Sequence, residues 1–217
     1  MNSIILDISA YSIFLPILIS ILRFKMIGDA YHPFIYLLWI GGCNEILSAY
    51  LLSHNYYNVY NTNIYSLLEG LLLLWFFRNT SILDRVKMLF PFLIMLFIAT
   101  WSVDNFFMGP FGLHFNSYFN IIAALCIVLI SINIINDILM KDRDILTSPT
   151  FLLCMGFVIY FTYRILVEAF LLYGLGIGAG FMSKVNAIHT WINLLCNLIF
   201  ALAVLWMQRR QAFTLRY

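Results

Sequence analysis

Seven runs of apolar sequence recur along this chain, at residues 4–22, 34–52, 62–77, 88–102, 117–140, 150–174 and 184–206, with only short polar breaks between them. Each meets or approaches the ~20 residues with which an α-helix crosses a hydrocarbon layer about 30 Å thick; runs 62–77 and 88–102 are the short ones. The apolar residues are continuous rather than alternating, which argues against the lipid-facing strands of a barrel. Helices remain, because they bond all their backbone groups within the segment. Of the 217 residues, 63% are hydrophobic and 10% charged, and the mean hydropathy is +0.93, more apolar side chain than a soluble core can bury. The expected fold is all-α, one integral membrane bundle of seven transmembrane helices over residues 1–217. No loop exceeds roughly 15 residues, which leaves no room for a soluble catalytic or signalling domain.

The charges orient the bundle. Arg23 and Lys25 follow the first run, Arg78, Arg85 and Lys87 the third, Lys141 and Arg143 the fifth, and Arg209, Arg210 and Arg216 the last. These are ten of the twelve basic residues; Lys184 alone lies on the opposite face and Arg164 lies within the sixth run. Basic loops stay in the cytoplasm, so the N-terminus is expected outside and the C-terminus inside. The first run has no basic leader and no small-residue cleavage site, and is expected to be retained as a span. The sequon at Asn79 falls on the inner side and is set aside.

Cys43, Cys126, Cys154 and Cys196 all fall inside runs without metal-type spacing and read as small buried apolar residues. The outer loops "SHNYYNVYN" and "DNFFMGPFGLHFNSYF" carry aromatics suited to the headgroup level, and the longer one is also a candidate lid. "GLGIGAG" reads as a flexible turn, since it lacks the strand and helix context of a phosphate loop.

Five ionisable residues interrupt the runs at similar depth. With the orientation above, Glu69 lies roughly 10 Å below the outer end of its helix. Glu45, Arg164, Glu168 and His189 fall in the same outer half. A charged group near the bilayer centre costs about 2.5–3.5 kcal/mol on insertion scales, so a shared hydrated or paired site is expected. Spacing of three and four residues places Thr62, Tyr65 and Glu69 on one face, and Tyr160, Arg164 and Glu168 on another. Asn186, His189, Asn193 and Asn197 form a third stripe; Asn44, Glu45 and Ser48 stand beside Gly41 and Gly42, and Asn116 and Asn120 add donors. The ligand-binding set expected is Glu45, Tyr65, Glu69, Arg164, Glu168, His189 and Asn193. Three carboxyls face one arginine and one histidine, and in low dielectric they cannot all be ionised. Arg164 is nearest in sequence to Glu168, which leaves Glu69 without an obvious partner. Glu69 is therefore the expected proton carrier or neutral donor, and Glu69→Gln is expected to fold normally.

"NIYSLLEG" and "NAIHTWIN" align so that Tyr65 and Glu69 match His189 and Asn193, and prolines 33 and 149 precede the second and sixth runs. Both features are consistent with two three-helix halves joined by a fourth span, a 3+1+3 plan. Through "NTNIYSLLEGLLLLWFF", "PTFLLCMGFVIYFTYRI" and "VNAIHTWINLLCNLIFALAVLW", the chain resembles an uncharacterised family of small seven-span bacterial inner-membrane proteins. The resemblance covers most of the chain in order and implies the seven-span fold but no activity. Microbial rhodopsins carry a lysine mid-way along the last span, where Lys184 is at the edge. Seven-span zinc hydrolases carry a histidine pair where this chain has His189 and Asn193. Small 3+1+3 sugar transporters carry a proline-glutamine signature absent here.

The leading functional expectation is a ligand-binding or sensory bundle in the lipid bilayer. A small polar or amphipathic ligand would enter from the outer side, and a cytoplasmic or membrane protein partner would read the change, since the inner loops are too short to do so. A proton-coupled transporter of a small solute is the alternative, although "ALAVLW" below Asn197 is wholly apolar. An intramembrane lipid-modifying enzyme with His189 as base is the second. Neither a metal site nor a cofactor is expected. The basic residues are ordinary inner-loop charges, so nucleic acid is not an expected partner.

Overall fold

Prolines sit where helices begin, because the first turn of a helix has no internal acceptor for their missing N–H. The computed structural model describes residues 9, 11–80, 88–108, 115–141, 147–173 and 179–207. Its helices are α1 (Phe14–Arg23), α2 (His32–Ser53), α3 (Val59–Asn79), α4 (Leu89–Phe106), α5 (Ser117–Lys141), α6 (Pro149–Tyr173) and α7 (Ala179–Trp206). Pro33 lies in the first turn of α2 and Pro149 opens α6. Two short 3₁₀ turns, Phe24–Met26 and Asp29–Tyr31, join α1 to α2. Arg85, Lys87, Arg143, Arg209, Arg210 and Arg216, most of the glycine-rich turn, the middle of the long outer loop and most of the first half of run 4–22 lie outside the described residues.

Five segments are long and apolar enough to cross a membrane: Asp29–Ser53, Leu89–Phe106, Ser117–Met140, Pro149–Leu172 and Ala187–Trp206. Their outward faces are apolar too, as with Leu125, Leu129 and Ile132 on α5 or Leu195, Leu198 and Leu202 on α7. Such faces suit lipid and not water, and the chain has the character of a multi-pass membrane protein. Helix α3 is long enough, but Asn61, Thr62, Asn63, Ser66 and Glu69 dilute its apolar content.

Each helix packs on the next in sequence, and α1 returns to α7, so the helices close a ring. Helix α3 also touches α5 and contributes Leu73, Leu74, Phe76 and Phe77 to the core, all fully buried. Edge-to-face phenylalanines form the centre of that core. Phe157 of α6 meets Phe34 of α2 with ring centroids 5.8 Å apart and Phe77 of α3 at 6.0 Å. Phe200 of α7 closes the cluster on Phe34 at 5.3 Å. Arg23 donates to the Leu205 carbonyl at the same end of the ring.

The opposite end is held by amides. Asn61 donates to Asn44 Oδ1 at 2.9 Å and to Ser48 Oγ at 3.0 Å, tying α3 to α2. Asn63 donates to Asn105 Oδ1 at 3.2 Å, and Trp101 donates its indole N–H to the Asn63 carbonyl at 2.8 Å, tying α3 to α4. Helix α4 runs four residues past the expected end at residue 102, and Asp104, expected in a loop, is 2% exposed. Its Oδ2 accepts the Phe119 N–H at 2.9 Å and so caps the first turn of α5 from a neighbouring helix.

The candidate site, a cavity between five helices

The i, i+4 spacing of Tyr65 and Glu69 on α3 carries both side chains to one face, and this face meets α6 across the ring interior. Glu69 is 6% exposed, and its Oε2 accepts from Arg164 Nη1 in a direct ion pair. Arg164 Nη2 donates to Asn120 Oδ1 of α5 at 3.0 Å, and Asn120 Nδ2 donates in turn to Glu168 Oε1 at 2.7 Å. The four side chains form one chain of polar contacts, Glu69–Arg164–Asn120–Glu168, which joins α3, α5 and α6 inside the apolar body. Glu168 Oε2 is buried with no hydrogen-bond partner among the described residues.

This pairing corrects the expectation that Arg164 serves Glu168 and leaves Glu69 alone. Helical side chains lean toward the N-terminus of their helix, so the long Arg164 side chain extends back past Phe161 and away from Glu168. It meets α3 there, and Asn120 takes the place at Glu168 that the arginine was expected to fill.

A cavity of about 100 Å³ lies beside Glu69, walled by α1, α2, α3, α6 and α7. Its polar lining is Glu45, Tyr65, Glu69, Tyr160, Asn193 and Asn197. Its apolar lining includes Phe34, Phe157, Phe161 and Phe200, so the phenylalanine core forms its floor. Ile13, the N-cap residue of α1, lies over Gly41, where an added Cβ would stand 3.0 Å from the isoleucine Cδ1 and 3.2 Å from the Tyr65 hydroxyl. The bare backbone at Gly41 thus makes room for both the α1 wall and the tyrosine.

Four of the expected residues, Glu45, Tyr65, Glu69 and Asn193, line the cavity together. Arg164 stands behind Glu69 and is not part of the lining; Glu168 is further back, reached through Asn120. Glu45 is exposed, and among the described residues it has neither a hydrogen bond nor an ion pair. It marks the mouth. His189 departs from the expected set: it stacks on Tyr163 at 5.9 Å and lies 6.3 Å from the ring of Tyr160, a lining residue, but it is exposed and is not itself part of the lining. The side chain of Asn186 lies outside the described residues. Cys154 and Cys196 are buried as expected, and Cys196 lines the cavity, whereas Cys43 is exposed.

Tyr160 and Asn197 were legible as members of polar stripes, one turn from Arg164 and Asn193 respectively, yet their place in the lining is visible only in three dimensions. The aromatic floor left no signal, because phenylalanines are scattered along every run. Asn197 donates to Ser12 Oγ at 2.7 Å, and Ser9 Oγ donates to the Thr190 carbonyl at 2.8 Å, so the residues leading into α1 are fastened to α7 along the cavity edge. Among the described residues no three His, Cys, Asp or Glu side chains are grouped as metal ligands. Comparison with known proteins finds no matching family model, no matching curated protein and no matching solved structure.

Proposed function

We propose that this is a seven-span protein of the bacterial inner membrane, N-terminus outside, that binds a small ligand in the cavity beside Glu69 and signals to a partner at its cytoplasmic face. The observation that carries the reading is the asymmetry of the cavity: its mouth holds an unpaired carboxylate, Glu45, and its other end is closed by packed phenylalanines. Pockets of this kind, mostly apolar with a few convergent polar groups, are the usual form of small-molecule sites. The aromatic floor favours binding over a path through the bundle. Among the described residues the His189 side chain has no hydrogen bond or ion pair to either carboxylate of the lining, which favours binding over catalysis.

Labelling tests this reading and its orientation together. Asn193→Cys, in a chain whose four native cysteines are replaced, is expected to react with a membrane-impermeant thiosulfonate added outside intact spheroplasts. It is expected to resist the same reagent trapped inside inverted vesicles. Labelling from the cytoplasmic side, or from neither, rejects the outward-facing pocket. Reporter fusions after Arg85 and Arg210 are expected to be active only with a cytoplasmic reporter.

A further inference from the structure

The proposed site has a sign. Its lining contains two carboxylates, Glu45 and Glu69, and no basic side chain. Arg164 has one guanidinium nitrogen on Glu69 and another on Asn120, and it is not itself part of the lining. His189 stands outside it. The single positive charge is thus committed to one carboxylate, while Glu45 is left without a counter-charge among the described residues. An anionic ligand would meet like charge at the mouth, and a neutral one would leave Glu45 without a counter-charge.

The rest of the lining specifies what sort of cation fits. Tyr65, Tyr160, Phe34, Phe157, Phe161 and Phe200 present six aromatic rings. Ring faces attract a weakly hydrated organic cation, and Trp, Tyr and Phe are the usual walls of ammonium sites. A small inorganic ion needs several oxygen ligands in place of its water, and most of this wall is hydrocarbon. The volume of about 100 Å³ limits the body of the ligand, since an apolar cavity of ~150 Å³ just holds benzene.

We infer that the ligand is a small organic amine bound as its ammonium ion, with the charged nitrogen at Glu45 and a compact apolar body in the aromatic floor. This rests on the pocket reading above and adds the ligand's charge and class. The positioning follows from the cavity's own polarity, carboxylate at the mouth and phenylalanines beneath. The hydroxyls of Tyr65 and Tyr160 and the amide of Asn193 supply further oxygen acceptors between the two.

The test uses the purified full-length chain in detergent and three probes of matched shape with a body smaller than benzene, isopropylammonium, isobutyrate and isopropanol, at fixed ionic strength. Isopropylammonium is expected to raise the unfolding midpoint saturably and to protect Asn193→Cys from thiol labelling, with the other two giving neither effect. Glu45→Gln, which should fold because Glu45 is exposed and unpartnered, is expected to weaken the isopropylammonium effect by about tenfold or more, as loss of a charge-assisted contact does. Glu45→Asp is expected to retain part of it. Equal or stronger effects of isobutyrate or isopropanol, or indifference to Glu45→Gln, overturn the amine while leaving a pocket. The same stabilisation by added sodium chloride alone also overturns it, in favour of an inorganic cation. If none of the three probes shifts the midpoint or protects the thiol, the amine is overturned, and if Asn193→Cys is also not labelled from outside, the pocket itself falls with it.

Discussion

A carboxylate and a guanidinium removed from water each lose several kcal/mol of solvation, which Glu69 and Arg164 recover only through each other and through Asn120. Glu69 is therefore part of the folded structure as well as of the cavity wall, and the pairing removes the premise, a Glu69 without a partner, on which Glu69→Gln was expected to fold normally. Glu69→Gln or Arg164→Gln alone is expected to cost about 3–5 kcal/mol, the usual effect of leaving one member of a buried pair. The double replacement Glu69→Leu with Arg164→Leu is expected to regain most of that, because no charge is stranded. Thermal unfolding in detergent reads both; single variants as stable as the parent would show the pair to be dispensable. Local spacing made Glu69 conspicuous, but its partner was hidden, since Arg164 is 95 residues away in sequence.

Helix packing turns on where small residues let neighbours approach. At Gly156 of α6 an added Cβ would stand 2.5 Å from Phe200 Cε1 and 3.2 Å from two more ring carbons, and that ring is wedged between Phe34 and Phe157. At Gly42 of α2 the closest atom is also 2.5 Å away, but it is the terminal methyl of Ile17, which can rotate. Gly156→Ala is accordingly expected to destabilise by about 1–3 kcal/mol, as overpacking of a rigid core does, and Gly42→Ala by under about 1 kcal/mol. The midpoint of thermal unfolding should rank the two variants in that order, and the reverse ranking would place the rigid contact on α1. Element boundaries show the same dependence on neighbours. Helices α3 and α4 each continue into polar residues because Asn61, Asn63 and Asn105 find partners on adjacent helices. A hydropathy reading ends such helices early, since it sees the polar residues and not the bonds that satisfy them.

Across the whole molecule, the ring of helices closes only at α1 and α7, the two most distant in sequence. Besides the packing of α1 on α7 and the Arg23 bond to the Leu205 carbonyl, the residues leading into α1 close it with Ser12 on Asn197 and Ser9 on the Thr190 carbonyl. Ile13, the N-cap of α1, is also part of the cavity wall, so closure of the ring and enclosure of the site go together. Ser12→Cys with Asn197→Cys is expected to form an intramolecular cross-link on mild oxidation in membranes, in a background without native cysteines. A cross-link that appears only between chains, or not at all, rejects the closed ring. Cross-linking in the presence of a cavity ligand also tells whether α1 shifts on binding, which is the movement a cytoplasmic partner would need to sense.

The amino-acid sequence alone determined that the chain is helical and apolar enough for a membrane. It also determined which residues share a helix face: Tyr65 with Glu69, Tyr160 with Arg164, Asn193 with Asn197. Those features are set within a few turns of one helix, by a period of 3.6 residues and by the scarcity of charge. The tertiary structure decided which face meets which. It joined Arg164 to Glu69 and not to Glu168, set His189 against Tyr163 and Tyr160 rather than in the lining, placed phenylalanines from three helices under the cavity, and left Glu45 alone at the mouth. Periodicity carries no information about how far each helix is rotated within the ring. That rotation is chosen by the sum of contacts with its neighbours, at Gly41 and Gly156 as much as at the charged residues, and only the packed bundle contains them all.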